Sequence, residues 1–363
     1  MTIRFCLSRV QGRGAGLGNE LIPWARSFLA AQMLGAQCLS PAFGMNTRRY
    51  WRHFGTPRYD FVVNRAIEKL LPVVRYTEAD FLRHGGGDFV NAFAPFAEEH
   101  KLHNRGPYVL ITDGMWGGFR HIAKARDFVY STLYQSRFAA KNLLAVQRRL
   151  DPTKITVGMH VRLGDFGAVP TELSAYQGKF NLALPLQWYR NIATSLVREL
   201  GDRVQFLIVS DGTGEQLAPL LQGLSAVTTS DLPDSDCSDL LALADTDLLV
   251  CSVSSFSATA AYLSKAPYLW FEPNLQKHPQ GFYSIWGHEP EQIKKTSPTQ
   301  QALREAGERL LQGRGMAVDM LGNLPKHLTS DLIANKERLL QQRDLIQYGV
   351  TSICPEQQAI STT

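Results

Sequence analysis

Short apolar runs alternate with longer stretches of helical periodicity along most of the chain. The clearest run is Val204 to Ser210 (Val-Gln-Phe-Leu-Ile-Val-Ser), a pattern typical of a strand buried within a parallel sheet. Ile155 to Val161 predicts a second strand, and Leu186 to Leu200 predicts the helix between them. Strands that alternate with helices in this way predict parallel sheets joined by right-handed crossovers.

The N-terminal part of the chain begins with the same rhythm. A predicted strand leads into the glycine-rich stretch 12–18, and a helix is predicted from Asn19, a residue well suited to an N-cap. A later helix ends at Asp151-Pro152, where we place a domain boundary. We therefore predict an α/β, GT-B-like fold in which two Rossmann-like parallel-sheet domains face each other across a cleft. The predicted units are residues 1–150, residues 151–325, and a helical tail over 326–363 that packs on the first domain.

Composition and charge narrow the class of protein. The 363 residues are 44% hydrophobic with a formal net charge of +5, which excludes a disordered chain and disfavours a nucleic-acid binder. The densest basic stretch, Arg48 to Arg58, is interleaved with aromatic residues. It has two interpretations: contact with an anionic acceptor, a lipid-linked sugar or a membrane surface, or a solvated helix face anchored by its aromatic rings.

Cysteine use and hydropathy predict the compartment. The five cysteines are widely spaced without a C-x-x-C pair, a pattern typical of reduced thiols in a cytosolic protein. The sequence shows no signal peptide and no apolar run of about 18 residues. We expect a cytoplasmic protein, working in the cytosol or peripherally at the inner face of a membrane.

Polar side chains follow three predicted strands of the second half, where open α/β sheets bind their ligands. The first segment is His160-Val161-Arg162-Leu163-Gly164-Asp165. The guanidinium of Arg162 suits phosphate oxygens and His160 can bond a base or a ribose, unless Arg162 and Asp165 simply form a salt bridge. In the second segment, Ser210-Asp211-Gly212, the carboxylate of Asp211 can accept from a purine or a ribose, or it can shape a turn.

The third segment is the serine-rich turn 252–257, which joins a predicted strand to a predicted helix. Exposed amides and the positive end of a helix dipole form an anion site, and hydroxyls add donors. The alternative is an ordinary N-cap with spare serines. Four serines in six residues exceed what a cap needs, which favours phosphate binding.

Together with the loop Gly16-Leu17-Gly18-Asn19, these segments resemble the fucosyltransferase superfamily, which joins the α-1,2-, α-1,6- and protein O-fucosyltransferases. The order and approximate spacing of the motifs match over residues 16–263. The resemblance implies GDP-fucose as the donor substrate, inversion at the anomeric carbon, and neither a metal nor a cofactor. It implies that the guanosine is held by His160 and Asp211, the β-phosphate by Arg162, the phosphates by Ser254, Ser255, Phe256 and Ser257, and the reacting sugar by the loop with Gly18 and Asn19.

The acceptor hydroxyl needs a base, and the first candidate is Glu172. Enzymes of the α-1,6 type carry Thr-Glu shortly after their motif, and Thr171-Glu172 stands here after a slightly longer spacer. Asp165 and Glu20 are the reserve candidates. The sequence also departs from the family pattern, since a second arginine is common where Leu163 stands. Family members also commonly have asparagine where Val253 stands, tryptophans where Ala258 and Thr259 stand, and glutamine where Glu20 stands.

Two D-x-D strings, 234–236 and 245–247, raise the question of a metal. The second precedes a predicted strand, at the end remote from ligands, and the first precedes a predicted helix, where carboxylates cap and complement the dipole. We therefore predict no metal site.

The predicted activity is transfer of fucose from GDP-fucose to a glycan hydroxyl, with a polysaccharide or lipid-linked precursor as acceptor. The departures leave open a transferase of another GDP- or UDP-sugar and a non-catalytic sugar-nucleotide or glycan-binding protein. An oxidoreductase is disfavoured because the glycines do not fit G-x-G-x-x-G. Nucleic acid is not an expected partner, and the sequence gives no indication of the oligomeric state.

Overall fold

The computed structural model describes residues 3–9, 14–55, 60–85, 88–114, 116, 118–164, 169, 172, 176, 182–277, 283–284 and 314–344. The strands of the first half are β1 (Arg4–Leu7), β2 (Gln37–Cys38), β3 (Val73–Arg75) and β4 (Tyr108–Ile111). Its helices are α1 (Leu17–Leu34), α2 (Trp51–Phe54), α3 (Asp60–Leu70), α4 (Glu78–Arg83), α5 (Phe89–Glu99), α6 (Gly118–His121), α7 (Arg126–Tyr134) and α8 (Ala139–Gln147). Short 3-10 turns cover Phe43–Met45 and Ala123–Ala125.

The first sheet has the strand order β2-β1-β4-β3, and its strands pair in parallel. Successive strand residues face opposite sides of a sheet. Cys6 and Leu110 accordingly belong to the large core under α1, whereas Leu7 and Ile111 face the other side, where Ile67 of α3 packs. The two faces are therefore covered unequally, with only a small apolar cluster beneath α3.

The second half contains β5 (Ile155–Val161), β6 (Val204–Ser210), β7 (Ala226–Thr228), β8 (Leu248–Val250), β9 (Tyr268–Phe271), β10 (Gln276–Lys277), β11 (Tyr283–Ser284) and β12 (Gly315–Val318). Its helices are α9 (Leu186–Leu200), α10 (Gly214–Leu221), α11 (Asp236–Ala244), α12 (Ser255–Leu263) and α13 (Leu328–Asp344), with 3-10 turns at Gly201–Arg203 and Glu272–Asn274. Six strands form a parallel sheet in the order β12-β9-β8-β5-β6-β7, and β10 and β11 form an antiparallel pair.

The predicted α/β class with two parallel sheets is confirmed. β5, β6 and α9 have the predicted bounds, since buried strands and an amphipathic helix give strong periodic signals. Helix α1 begins earlier than predicted, at Leu17, because the carbonyl of Gly16 accepts from the amides of Asn19 and Glu20. Gly16 is thus the N-cap, and the expectation that Asn19 caps the helix is wrong.

The two halves share one continuous buried core. Helices α7 and α8 pack on α11, and α1 packs on α12. Polar contacts fix this junction: the hydroxyl of Tyr262 donates to the carbonyl of Ile122 at 2.8 Å, and Nε of Arg126 donates to that of Leu263 at 3.0 Å.

The tail helix α13 packs on β5 and α9 of the second half, whereas the sequence predicted packing of the tail on the first domain; residues 345–363 of that tail lie outside the described residues. Lys336 anchors it by an ion pair with Asp247 at 2.9 Å. Among the helices that the structure describes, none is both long and apolar enough to cross a bilayer.

Candidate functional site

The three polar segments meet at one edge of the second sheet. β5 lies between β6 and β8, with His160 opposite Val209 and Met159 opposite Val250. All seven residues of β5 are buried, so the first polar groups beyond its apolar stretch emerge at its carboxyl end. The predicted convergence of these segments is therefore present in the fold.

His160 is enclosed by serine hydroxyls. Its Nδ1 lies 2.8 Å from Oγ of Ser257, 2.9 Å from Oγ of Ser252 and 3.4 Å from Oγ of Ser254. The side chain is 4% exposed, and its ring lies 4.7 Å from that of Phe256. The hydroxyl of Tyr189 donates to the carbonyl of His160 at 3.0 Å, which fixes the backbone beneath the ring.

Burial in the first place, and the charge of Arg162 in the second, lower the pKa of His160 to about 3, while Asp211 opposes the shift. The ring is consequently neutral at physiological pH, with one donor nitrogen and one acceptor nitrogen. In the described part of the chain, the hydrogen bonds of the ring are made by Nδ1. Nε2 is therefore the nitrogen that remains for a ligand.

Arg162 forms an ion pair with Asp211, which follows the neighbouring strand β6. Its Nη1 lies 2.9 Å from Oδ2 of Asp211, and Oδ1 of that carboxylate accepts from the amide of Leu163 at 2.8 Å. A Cβ at Gly164 would overlap the Asp211 carboxylate, so glycine permits this approach. The side chains of Arg162 and Asp211 keep 17% and 27% of their surface exposed, so each is partly accessible to solvent. Asp165, the partner considered from sequence, lies outside the described residues.

The serine turn caps α12 and meets the first half of the chain. Oγ of Ser254 accepts from the amide of Ser257 at 3.2 Å, which leaves the amides of Ser255 and Phe256 at the helix end. A Cβ at Gly18 would lie 2.6 Å from the carbonyl oxygen of Ser255 and 2.7 Å from Oγ1 of Thr259. Only glycine allows this contact, so the start of α1 lies against the start of α12.

Asn19 is half-buried in the first turn of α1, next to this contact. Glu20 is fully buried, and its Oε1 accepts from Nδ2 of Asn46 at 3.1 Å. The same amide donates to the carbonyl of Ala15 at 3.0 Å. Glu20 therefore supports the loop before α1, and its burial does not fit the reserve role of an acceptor base.

Glu172 is exposed, as a base that meets an external acceptor has to be. Residues 165–168, 170–171 and 173–175 lie outside the described part of the chain, Thr171 among them. Tyr176 packs against Phe271, with ring centroids 5.0 Å apart. Four residues after Glu172, Tyr176 thus lies at the end of β9, and the role of Glu172 as base stays a prediction.

The D-x-D strings have structural partners. Asp247 accepts from the amide of Thr156 at 2.8 Å and pairs with Lys336, at the amino end of β8, as its position in the sequence indicated. Within the described residues, no group of three or more ligating side chains that could hold a metal ion is found.

Two residues of the basic stretch, Arg52 and His53, contact the second half of the chain. Arg52 pairs with Asp234 at 3.3 Å, and the buried His53 lies 3.2 Å from Asp236. Neither of the two interpretations of the basic stretch holds for these two residues. Both contact carboxylates of the second half, so they form neither a fully solvated helix face nor an open anion site. Arg58 lies outside the described residues.

Ser252 was counted in the serine-rich turn without a role of its own, and Tyr189 was not identified from the sequence. The position of Ser252 directly after the predicted strand is the signal that could have given it a role. Tyr189 lies within α9 and touches the site only through the backbone of His160, so the sequence carried no signal for it.

Several solved structures share parts of this architecture. NodZ α-1,6-fucosyltransferase soaked with GDP-fucose aligns at a TM-score of 0.40 and 14% identity, covering 79% of this chain and 97% of that one. POFUT1 in complex with GDP-fucose aligns at 0.36 and 15%, covering 73% and 95%. The E. coli heptosyltransferase WaaC with ADP-2-deoxy-2-fluoro heptose aligns at 0.37 and 13%, covering 94% and 100%.

No protein-family model matches the sequence, and no curated protein matches it either. At these identities and TM-scores, the structural likeness assigns no activity to this chain. The assignment of function therefore depends on the residues of the site.

Proposed function

We propose that this protein is a glycosyltransferase that binds a nucleoside-diphosphate sugar, GDP-fucose in the first place, at the carboxyl edge of the second sheet. The observation that carries the proposal is the meeting of three groups at that edge. The first is the neutral ring of His160, which is hydrogen-bonded to serine hydroxyls. The second is Arg162, which is paired with Asp211, and the third is the set of backbone amides at the start of α12.

The diphosphate fits the cationic part of this arrangement. A helix N-terminus supplies amide donors and a positive dipole end, and an arginine fork matches phosphate oxygens. Arg162 is already oriented by Asp211, so little side-chain entropy is lost when a phosphate binds. When the bond to the sugar breaks, the same donors stabilise the charge that develops on the leaving diphosphate.

The base and ribose fit the neutral part. Nε2 of His160 offers one hydrogen bond, and the ring of Phe256 beside it provides an apolar surface. The Asp211 oxygens keep lone pairs beyond those used by Arg162 and Leu163, so this carboxylate can also accept from a base or a ribose hydroxyl.

The acceptor approaches from the first half in this proposal, because the start of α1 with Asn19 lies against the serine turn. Glu172 is the proposed base, and a glycan hydroxyl is the proposed nucleophile. Fucose as the donor sugar rests on the motif resemblance, whereas a diphosphate nucleotide rests on the geometry.

The test is calorimetric titration of the purified protein with GDP, UDP and NAD in the presence of EDTA. We expect micromolar affinity for GDP alone, and loss of that affinity in Arg162→Ala. The matched control is Arg149→Ala, since Arg149 is also paired with an aspartate, Asp231, but lies outside the site. Binding of UDP in place of GDP would agree with a glycosyltransferase but would rule out GDP-fucose as its donor. Binding of no nucleotide would overturn the proposal.

Turnover separates an enzyme from a binding protein. If the protein is a transferase, it should release GDP from GDP-fucose when a glycan acceptor is supplied, and Glu172→Gln should slow this release with little change in GDP affinity. Binding without turnover, over a broad panel of acceptors, would favour the non-catalytic alternative.

A further inference from the structure

Helix α3 is inverted with respect to the protein core, in the sense that its polar side faces inwards and its apolar side faces outwards. Its inner side carries polar residues: Nδ2 of Asn64 donates to the carbonyl of Ser40 at 3.2 Å, and Glu68 pairs with Arg9, whose Nε donates at 3.1 Å. Among its apolar residues only Ile67 is half-buried against the sheet. A helix that covers a core normally shows the opposite distribution.

The outer side of α3 is apolar. Val62, Val63 and Leu70 are 53%, 50% and 80% exposed, and Ala66 lies between them on the same side at helical spacing. Phe61, at the start of the helix, is 38% exposed. Continuous apolar surface of this kind on a helix marks a contact with a partner or a membrane.

The patch continues onto neighbouring elements. The 3-10 turn Phe43–Met45 packs on α3, and its Met45 is 42% exposed. On the edge strand β3, which follows α3, Val73 is 40% exposed. We call the set Met45, Phe61, Val62, Val63, Ala66, Leu70 and Val73 the α3 patch.

Positive charge borders the α3 patch. Arg65 and Lys69 are exposed and stand three and seven residues after Val62, which places them along one side of the apolar stripe. Residues 1–75 contain eleven Lys or Arg and three Asp or Glu, a net charge of +8, whereas the whole chain carries +5. The remainder of the chain is therefore net negative, and the excess of positive charge is carried by the first 75 residues, to which α3 belongs.

We propose that the α3 patch docks the protein on an anionic lipid bilayer, with α3 lying in the plane of the interface. An apolar helix face bordered by basic residues is the arrangement that inserts among headgroups while its charges meet anionic lipids. A second copy fits less well, because an antiparallel two-fold contact through α3 would place the Arg65 and Lys69 rows of both copies on the same side. This proposal does not depend on the nucleotide site.

The test uses the full chain and vesicle flotation, with vesicles of phosphatidylcholine alone and vesicles enriched in phosphatidylglycerol. We expect the wild type to float with the anionic vesicles only, and to be released by raised salt, since screening weakens surface charge contacts. The double variant Arg65→Gln/Lys69→Gln should lower the partition coefficient about 25-fold, at about fivefold for each basic residue removed. The variant Val62→Ser/Leu70→Ser should abolish flotation.

The control is Leu144→Ser/Val197→Ser, because these apolar residues are also exposed, at 47% and 40%, but lie on helices α8 and α9. We expect it to float like the wild type. Equal loss in this control, or no flotation of the wild type with anionic vesicles, would overturn the proposal. Light scattering completes the test: a wild-type dimer that Val62→Ser/Leu70→Ser dissociates, without any vesicle binding, would assign the patch to a second copy instead.

Discussion

Replacing Gly18 by alanine tests the contact between the two halves at the site. The new Cβ would lie 2.6 Å from the Ser255 carbonyl oxygen, 2.7 Å from Oγ1 of Thr259 and 2.8 Å from the Ser255 carbonyl carbon. Ordinary contacts of this kind begin near 3.4 Å, and two of the three atoms are backbone, so α1 and α12 have to move apart. Overpacking of this kind costs about 1–3 kcal/mol, while alanine in place of glycine gains about 1 kcal/mol of helix propensity. The net expectation is a loss of up to about 2 kcal/mol in the free energy of unfolding.

The same displacement should reach the proposed diphosphate site, because Ser255 is the first residue of α12. If α12 absorbs about 1–2 kcal/mol of strain, GDP affinity should fall about 5- to 30-fold. Urea unfolding and GDP titration measure the two effects.

The matched control is Gly214→Ala, since Gly214 also lies in the first turn of a helix but a Cβ there would meet nothing within 4 Å. It should be neutral or slightly stabilising. The reasoning is refuted if Gly18→Ala behaves like Gly214→Ala in both measurements.

Three further variants test individual groups. Arg162→Ala should lower transferase turnover about 10²–10³-fold, the usual cost of one preorganised donor, and near wild-type turnover would remove Arg162 from the mechanism. The neutral ring of His160 contributes stability that is fully present above pH 6.5 and is lost as the pH falls towards its folded-state pKa of about 3. Between pH 6.5 and pH 5 the wild type should therefore lose about 2 kcal/mol more than His160→Asn in urea unfolding, and equal losses would contradict the buried neutral state. Asp247→Asn should lower stability by about 1–3 kcal/mol through its bonds to Lys336 and Thr156, yet leave GDP affinity unchanged with or without Mn²⁺; a metal-dependent change in affinity would restore the D-x-D interpretation.

The sequence predicted those parts of the fold that depend on local periodicity. Val204–Ser210 and Ile155–Val161 are buried along nearly their whole length, and such runs are recognisable as central strands. The edge at which the polar segments meet also followed, since it depends only on strand direction. The predicted start of α1 was wrong because the N-cap is a glycine, which has no side chain that indicates a cap. Asparagine, three residues later, is a stronger N-cap signal in the sequence.

Partner choice across the sheet could not be predicted in the same way. The structure pairs Arg162 with Asp211, 49 residues later, because β5 and β6 are neighbours in register, whereas Asp165 lies outside the described residues. The inversion of α3 was equally hidden. Its periodicity is helical, but its inner side is the polar one, and the partners of that side, Ser40 for Asn64 and Arg9 for Glu68, are brought to it only by the folded sheet.

The surplus of serines in the turn after β8 has a physical explanation that differs from the one their number suggested. Ser254 caps α12, and Ser252 and Ser257 turn inward to the buried His160, both of them 1% exposed. Three of the four hydroxyls are thus committed inside the protein, and Ser255 is the one left half-exposed at the helix end. A phosphate at this turn would consequently be held by backbone amides and Arg162. The buried serines would not contact the phosphate but would orient the ring of His160. It follows that single Ser→Ala changes at 252 or 257 should affect the hydrogen bonding and protonation of His160 before they affect phosphate affinity, and that Ser255→Ala should do the reverse.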